Sequence, residues 1–275
     1  MQIHTSIASL RAALRQAGRV AFAPTMGNLH AGHVSLMQQA HAHADCVVAS
    51  IFVNRLQFGP HEDFDKYPRT FEADCQKLQA AGVQHLFAPD ENTLYPQPQS
   101  YVVVPATAHD NILEGALRPG HFQGVTTVVC KLFNIVQPHT ALLGKKDYQQ
   151  LMVIRNMVEQ LNMPIEVVGC DTVRADDGLA LSSRNGYLSA SARAEAPRLY
   201  AQLQAIAAAL NAGATDLRAL EEAACAQLRQ HGWQPDYVAI RRRADLLEPG
   251  PGDSRVILAA ARLDGTRLID NLEVT

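Results

Sequence analysis

Up to about residue 170 the chain alternates short apolar runs with stretches of helical period, and this alternation constrains the fold more than any other feature. The runs are RVAFAP, DCVVASIFVN, VQHLFAP, YVVVP, HTALLG and IEVVGC. Near-continuous apolar runs are what strands buried on both faces require. Between them, GVTTVVCKLFNIVQP puts Val125, Val128, Val129, Leu132, Phe133 and Val136 on one wide face and stops at Pro138. DYQQLMVIRNMVEQLNMP repeats the pattern with Leu151, Ile154, Val158 and Leu161, and stops at Pro164. Such alternation predicts a parallel sheet covered by helices on both sides. Ligands on these sheets bind beyond the carboxyl ends of the strands. The loops after VAFA, SIFVN and ALLG are therefore where chemistry is expected.

After residue 170 the texture changes. CDTVRADDGLALSSRNGYLSASARAEAP is rich in Asp, Ser, Gly and Arg and reads as a boundary loop. Ala-rich helical patterns follow around 190–211 and 215–230, then DYVAIR, RVILAAARL and TRLIDNLEV. Asp264-Gly265 between the last two is a hairpin signal. The expected class is α/β: a Rossmann-like parallel-sheet domain over residues 1–172, then a smaller α+β domain over 173–275. A chain of 275 residues, 47% hydrophobic, can fill both cores.

Charge and cysteines exclude several classes. A net charge of -3 gives no electrostatic footprint for nucleic acid or an anionic membrane. The one dense basic run, Arg241-Arg242-Arg243, reads as a solvated face. Cys46, Cys75, Cys130, Cys170 and Cys225 are odd in number, far apart and form no CxxC. That fits reduced thiols in a cytoplasmic protein, not a disulfide framework or a zinc cage. The opening MQIHTSIASLRAALRQAG reads as a helix capped at Thr5 or Ser6 and stopped at Gly18, not as a leader. No segment approaches the ~20 apolar residues of a membrane-spanning helix.

The loop after VAFA is PTMGNLHAGH. Met26 and Gly27 form a turn, and a helix is expected from about Leu29 or His30. The unbonded N–H groups of its first turn would favour an anion. His30 and His33, three apart, project from one side of that turn and can donate to phosphate oxygens. His41 and His43 are expected further along the same helix. They do not complete a metal cage, since His30 and His43 lie ~20 Å apart at 1.5 Å per residue. After HTALL, Gly144 opens space and Lys146 can reach a phosphate, or Lys145 and Lys146 form a solvated loop pair. Asp147 can accept from a ribose hydroxyl or cap the next helix. LSSRN offers Ser182, Ser183 and Arg184, two hydroxyls and a guanidinium able to close on phosphate oxygens. Gln57 and Gln150, taken alone, read as surface residues. Asp74, one carboxylate in a helical stretch, is either a ligand for Mg2+ or a surface charge.

HAGH resembles the HxGH signature of nucleotidyl-transferring α/β enzymes. PTMGNLHAGH, SIFVNRLQFGPHEDFDKYPRT, LEGALRPGHFQGVTTVVCKLF, GKKDYQQL and LALSSRN, in that order, resemble the pantoate–β-alanine ligase family over most of residues 20–190. The resemblance implies a homodimeric enzyme that condenses pantoate with β-alanine at the expense of ATP and Mg2+. Pantoate's carboxylate would attack the α-phosphate, and β-alanine's amine would then attack the pantoyl-adenylate. It implies that the first domain binds ATP and pantoate and that the second acts as a lid. His33, His30, Lys146 and Arg184 are the implied catalytic residues. The implied nucleotide site runs over Met26, Gly27, Asn28, Leu29, His30, Ala31, Gly32 and His33. It continues at Gly144, Lys145, Lys146, Asp147, Val173, Leu181, Ser182, Ser183 and Arg184. Gln57 and Gln150 are implied for pantoate, with Gln57 also meeting β-alanine; an amide both donates and accepts, which suits a small polar acid. Arg55 departs from the family's usual Pro beside Gln57. No family role falls on Arg118, His121 or Gln123. Two other readings compete: a different HxGH nucleotidyltransferase, and a nucleotide-binding regulator without catalysis.

Overall fold

The computed structural model describes residues 1–60 and 62–274. The chain divides into two compact units, Met1–Gly144 with Gln149–Asp171, and Lys145–Tyr148 with the chain from Thr172 onward. Lys145–Tyr148 interrupts the stretch expected as one domain up to residue 172, because its hydrogen bonds run to the C-terminal strand.

The first unit runs β1 (Gln2–His4), α1 (Ile7–Leu14), β2 (Val20–Thr25), α2 (Ala31–Ala40), β3 (Cys46–Ile51), α3 (Phe71–Ala80) and β4 (His85–Phe87). Short helices α4 (Glu91–Leu94), α5 (Thr107–Asp110) and α6 (Leu113–Leu117) lead to α7 (His121–Val136), β5 (Thr140–Gly144), α8 (Tyr148–Gln160) and β6 (Glu166–Cys170). The strands form one parallel sheet in the order β1-β4-β3-β2-β5-β6. Alternate residues of β2 enter opposite cores. Val20 and Phe22 pack with α7 and α8, whereas Ala21 and Ala23 pack with α2 and α3. This two-sided burial is why the strand runs are apolar throughout. The chain leaves β2 toward β3 on one side and returns to β5 on the other. The topological switch point therefore lies between the ends of β2 and β5, where α/β sheets bind ligands.

Three local expectations change. YVVVP is not a strand: Val103 N–H donates to Thr127 Oγ1 (3.0 Å) and its carbonyl accepts from Thr126 Oγ1 (2.7 Å), so hydroxyls of α7 replace a neighbouring strand. β1, too short to show a pattern, pairs with β4 instead. Leu161 falls outside α8 and is exposed, because Asn162 turns left-handed (φ 50) ahead of Pro164.

The second unit holds α9 (Ala190–Glu195), α10 (Arg198–Asn211), α11 (Leu217–Gln230), β7 (Gln234–Arg242), β8 (Arg255–Leu263) and β9 (Thr266–Val274). Pro197 separates α9 from α10, splitting the single helix expected over 190–211. The three strands form an antiparallel sheet whose last hairpin turns at Asp264 (φ 50) and Gly265 (φ 77), both left-handed as a tight turn demands. Leu203, Ile206, Leu228 and Trp233 from the helical side close on Ile240, Ile257 and Ala259.

Candidate functional site

The turn after β2 is built by Asp74. This carboxylate, fully buried in α3, accepts from Asn28 N (2.8 Å), Leu29 N (2.8 Å) and Thr70 Oγ1 (3.1 Å). Lys77 Nζ ties down Leu29 O at 2.6 Å. Gly27 takes φ +83, and a Cβ there would meet Ile51 at 3.1 Å and Asp74 at 3.2 Å, so the turn needs glycine. Asp74 therefore holds a loop. With both oxygens taken by the protein, it does not fit the role of a Mg2+ ligand.

His30 is the N-cap of α2. Its Nδ1 accepts from Gly32 N at 3.1 Å, and His33 Nδ1 accepts from His30 N at 3.3 Å, the rings lying 4.1 Å apart. The two histidines thus fill the place of a capping box. An Nδ1 that accepts carries no proton, so each neutral ring holds its proton on Nε2 and can donate from there. The expectation of unbonded N–H groups at this helix start needs correction. From Asn28 to His33, Ala31 N–H alone lacks a partner among the described residues. An anion here would be met by imidazole Nε2–H groups more than by backbone. α2 ends at Ala40, so His41 and His43 lie beyond it, and His41 Nε2 bonds Ala81 O at 2.9 Å.

Gln57 stands beside this turn, its Nε2 donating to Met26 Sδ at 3.4 Å and its Oε1 accepting from Asn54 Nδ2 at 3.2 Å. Asn54, fully buried, also donates to Gly124 O (3.2 Å) and accepts from Tyr95 O–H (2.9 Å). Burial pushes the Tyr95 phenol upward, which keeps it a donor. A chain of hydrogen bonds fixes the Gln57 backbone. Glu62 binds Arg118 through two bonds (2.6 and 2.7 Å), Arg118 Nη1 donates to His121 Nε2 (2.9 Å), and His121 Nδ1 donates to Gln57 O (2.8 Å). Burial, with the Arg118 charge beside it, lowers His121 to about 4 and holds it neutral. Sequence reasoning left Arg118 and His121 without a role; the signal available was their place just ahead of and at the start of α7. Arg55 lies over the Phe64 ring (3.9 Å), an outlet for the charge that replaces proline. On α8, Gln150 is half-buried, while Gln149 is buried and binds Glu114 N (3.0 Å) and His109 O (2.7 Å).

The other expected residues fall in the second unit, apart from Gly144 at the end of β5, where nothing lies within 4 Å of an added Cβ. Lys145–Asp147 is one 3-10 turn. Lys145 Nζ and Tyr148 O–H both bind Glu273 (3.2 and 2.7 Å). Lys145 is thus anchored to a carboxylate and half-buried, where a solvated side chain was expected. Asp147 is exposed. Val173 and Leu181 face each other across a short loop, Leu181 N donating to Val173 O at 3.0 Å. Ser182 caps the turn Ser183–Tyr187 by accepting from Arg184 N at 3.3 Å, which leaves its hydroxyl hydrogen to donate elsewhere.

A family model described as Pantoate-beta-alanine ligase matches residues 2–273. The chain is similar to two solved structures of pantothenate synthetase from Thermus thermophilus. They are 47% and 46% identical, cover 99% of both chains and give TM-scores of 0.94 and 0.95. It is also similar to a pantoate-β-alanine ligase from Francisella tularensis solved in complex with "Beta-gamma ATP and Beta-alanine". That match is 34% identical, covers 99% of this chain and 97% of the other, and has a TM-score of 0.85.

Proposed function

Because the chain belongs to the pantoate–β-alanine ligase family, it is a ligase of pantothenate synthesis, and we propose that it joins its substrates through a pantoyl-adenylate. A pantoate carboxylate oxygen bonds to the α-phosphorus of ATP as the bond to the bridging oxygen breaks and pyrophosphate leaves. The β-alanine nitrogen then bonds to the acyl carbon, AMP leaves, and the nitrogen gives up a proton. A carboxylate is already ionised at neutral pH, so the first step needs no base. It needs charge neutralised on the phosphates and the reactants held in line.

The observation that carries this reading is the pair of imidazoles set 4.1 Å apart at the start of α2, each with Nδ1 accepting from the backbone, which makes Nε2 the proton-bearing atom of both neutral rings. In this reading His33 steadies transition-state charge as a hydrogen-bond donor. Lys146, Ser182, Ser183 and Arg184 add charge and donors at the triphosphate. Their membership of one compact unit supports a second proposal, that the chain from residue 173 works as a lid carrying the lysine turn. Gln57, held beside Met26, and Gln150 take pantoate, and Gln57 also meets β-alanine.

Mg2+ enters this proposal with the nucleotide. Among the described residues no three His, Cys, Asp or Glu side chains gather to hold a metal. A hard ion that keeps its water can be held by phosphate oxygens alone, and the steps above rest on the chain's own groups. We also propose a homodimer, supported by the exposed apolar strip of Tyr101, Val102 and Val104, and a cytoplasmic location, where ATP is supplied and five cysteines outside any disulfide stay reduced. No helix among the described residues is long and apolar enough to cross a membrane.

The test is ATP–pyrophosphate exchange. Exchange that requires pantoate, followed by AMP release on adding β-alanine, is the expected result. Exchange that requires a phosphorylated substrate instead, or ATP binding without turnover, would refute the adenylate route. Light scattering on the purified protein, with Tyr101→Asp as the dissociating variant, tests the dimer.

A further inference from the structure

We propose that Asn271 is a positioning residue for Lys146, an inference that rests on the reading of Lys146 as a phosphate ligand. Lys145–Asp147 is a single 3-10 turn leaving a strand, with few internal bonds to set its shape. Asn271 Nδ2 supplies what the turn lacks, donating to Lys145 O and to Lys146 O, both at 2.9 Å. One amide nitrogen has two hydrogens, and each goes to a neighbouring carbonyl, so both peptide planes flanking Lys146 are oriented together.

Asn271 is itself held on every side. It is buried, its N–H donates to Asp270 Oδ1 (2.8 Å), and its carbonyl accepts from Arg174 Nη2 (3.2 Å). Arg174 grips Asp270 through two further bonds of 2.7 and 2.9 Å. Residues two apart on a strand share a face, and Glu273 uses that face to bind Lys145 Nζ and Tyr148 O–H. The turn is thereby fixed at both carbonyls and at the side chains on either side of Lys146. The Lys146 ammonium makes no hydrogen bond among the described residues. The nearby Asp270 carboxylate attracts this ammonium without bonding it, and a backbone held this firmly around it is what a phosphate-binding lysine requires, since fixed geometry is the source of the rate gain.

The experiment is a double-mutant cycle on the full chain, read by pantoate-dependent ATP–pyrophosphate exchange, with melting temperatures measured alongside. Asn271→Ala is expected to slow exchange about tenfold to a hundredfold while KM for pantoate stays within about twofold. Asn271→Asp keeps the shape without the donor hydrogens and is expected to fall as far, which covers the case in which the alanine variant does not fold. In a Lys146→Ala background, Asn271→Ala is expected to cost nothing further. Equal losses in both backgrounds, or full exchange in Asn271→Asp, would overturn the positioning role alone. Near-normal exchange in Lys146→Ala would overturn the phosphate reading of Lys146, and the positioning role with it.

Discussion

Gly124 sets how closely α7 approaches the turn that carries Gln57, and Gly124→Ala should displace that turn. A Cβ at this position would lie 2.2 Å from Leu56 O, 2.5 Å from Leu56 C and 2.7 Å from Gln57 Cα. A carbon and a carbonyl oxygen come no closer than about 3.3 Å, so the two backbones must part by about 1 Å. α7 cannot give way easily, because Val125, Val128, Val129, Leu132 and Phe133 bury its face in the main core. The Arg55–Gln57 turn must move, stretching the 3.2 Å bond from Asn54 to Gly124 O and the 2.8 Å bond from His121 to Gln57 O. Overpacking of this kind costs about 1–3 kcal/mol of stability, and a 1 Å misplacement of a positioning group costs on the order of a hundredfold in rate. Pantoate-dependent exchange should fall by about that factor, with KM for pantoate raised and the melting temperature lowered. ATP affinity measured by calorimetry should change little, since the Met26–His33 turn hangs from Asp74. A variant with normal pantoate kinetics and an unchanged melting temperature would refute the claim that this close approach places Gln57.

Three further outcomes follow from the same geometry. His33→Ala should lose adenylation far more than ATP binding, and should lose about 0.5–2 kcal/mol of stability with its cap; His33→Asn, which keeps an acceptor for His30 N–H, should lose the rate but keep the stability, and near-normal turnover in either would refute the role of Nε2–H. Gln150→Ala should weaken pantoate more than ATP in binding titrations, and equal losses would contradict its placement. His121, lowered to about 4 against an ordinary 6.5, takes its proton first in the unfolded chain, so its contribution is whole above pH 6.5 and is lost as pH falls toward 4. Acid should therefore reduce unfolding free energy by on the order of 3 kcal/mol across that window, and His121→Asn should flatten the slope in denaturant titrations. Glu62 acts at lower pH: burial raises it, but the Arg118 hydrogen bond and charge outweigh that and hold it below its ordinary value, so its share is lost only as pH falls through that depressed pKa.

The parallel sheet was legible because a strand with helices on both faces is buried along its length, and β2, β3 and β5 are nearly continuous apolar runs, while the edge strand β6 keeps only its Val167-Val168 centre. YVVVP carries the same lettering without forming a strand, since pairing depends on which neighbour supplies hydrogen bonds, and Thr126 and Thr127 supply them there. β1 went unread for the converse reason: three residues carry no period, and β4 provides the edge they pair with.

Sequence alone determined the kind of chemistry. Two histidines three apart after a glycine turn can meet an anion wherever the helix lies, and the order of the motifs ties them to one family. What each polar group does was decided only by tertiary contacts. Asp74 looked like a metal ligand until the fold buried it under the turn. The Nδ1 atoms of His30 and His33 were free to act until helix capping claimed them. Gly124 and Asn271 carried no local signal, and Arg118 and His121 carried only their place ahead of a helix. Their partners lie 61, 64 and 126 positions away for Arg118, His121 and Asn271, and a hydrogen bond or close approach across that distance exists only once the chain has folded.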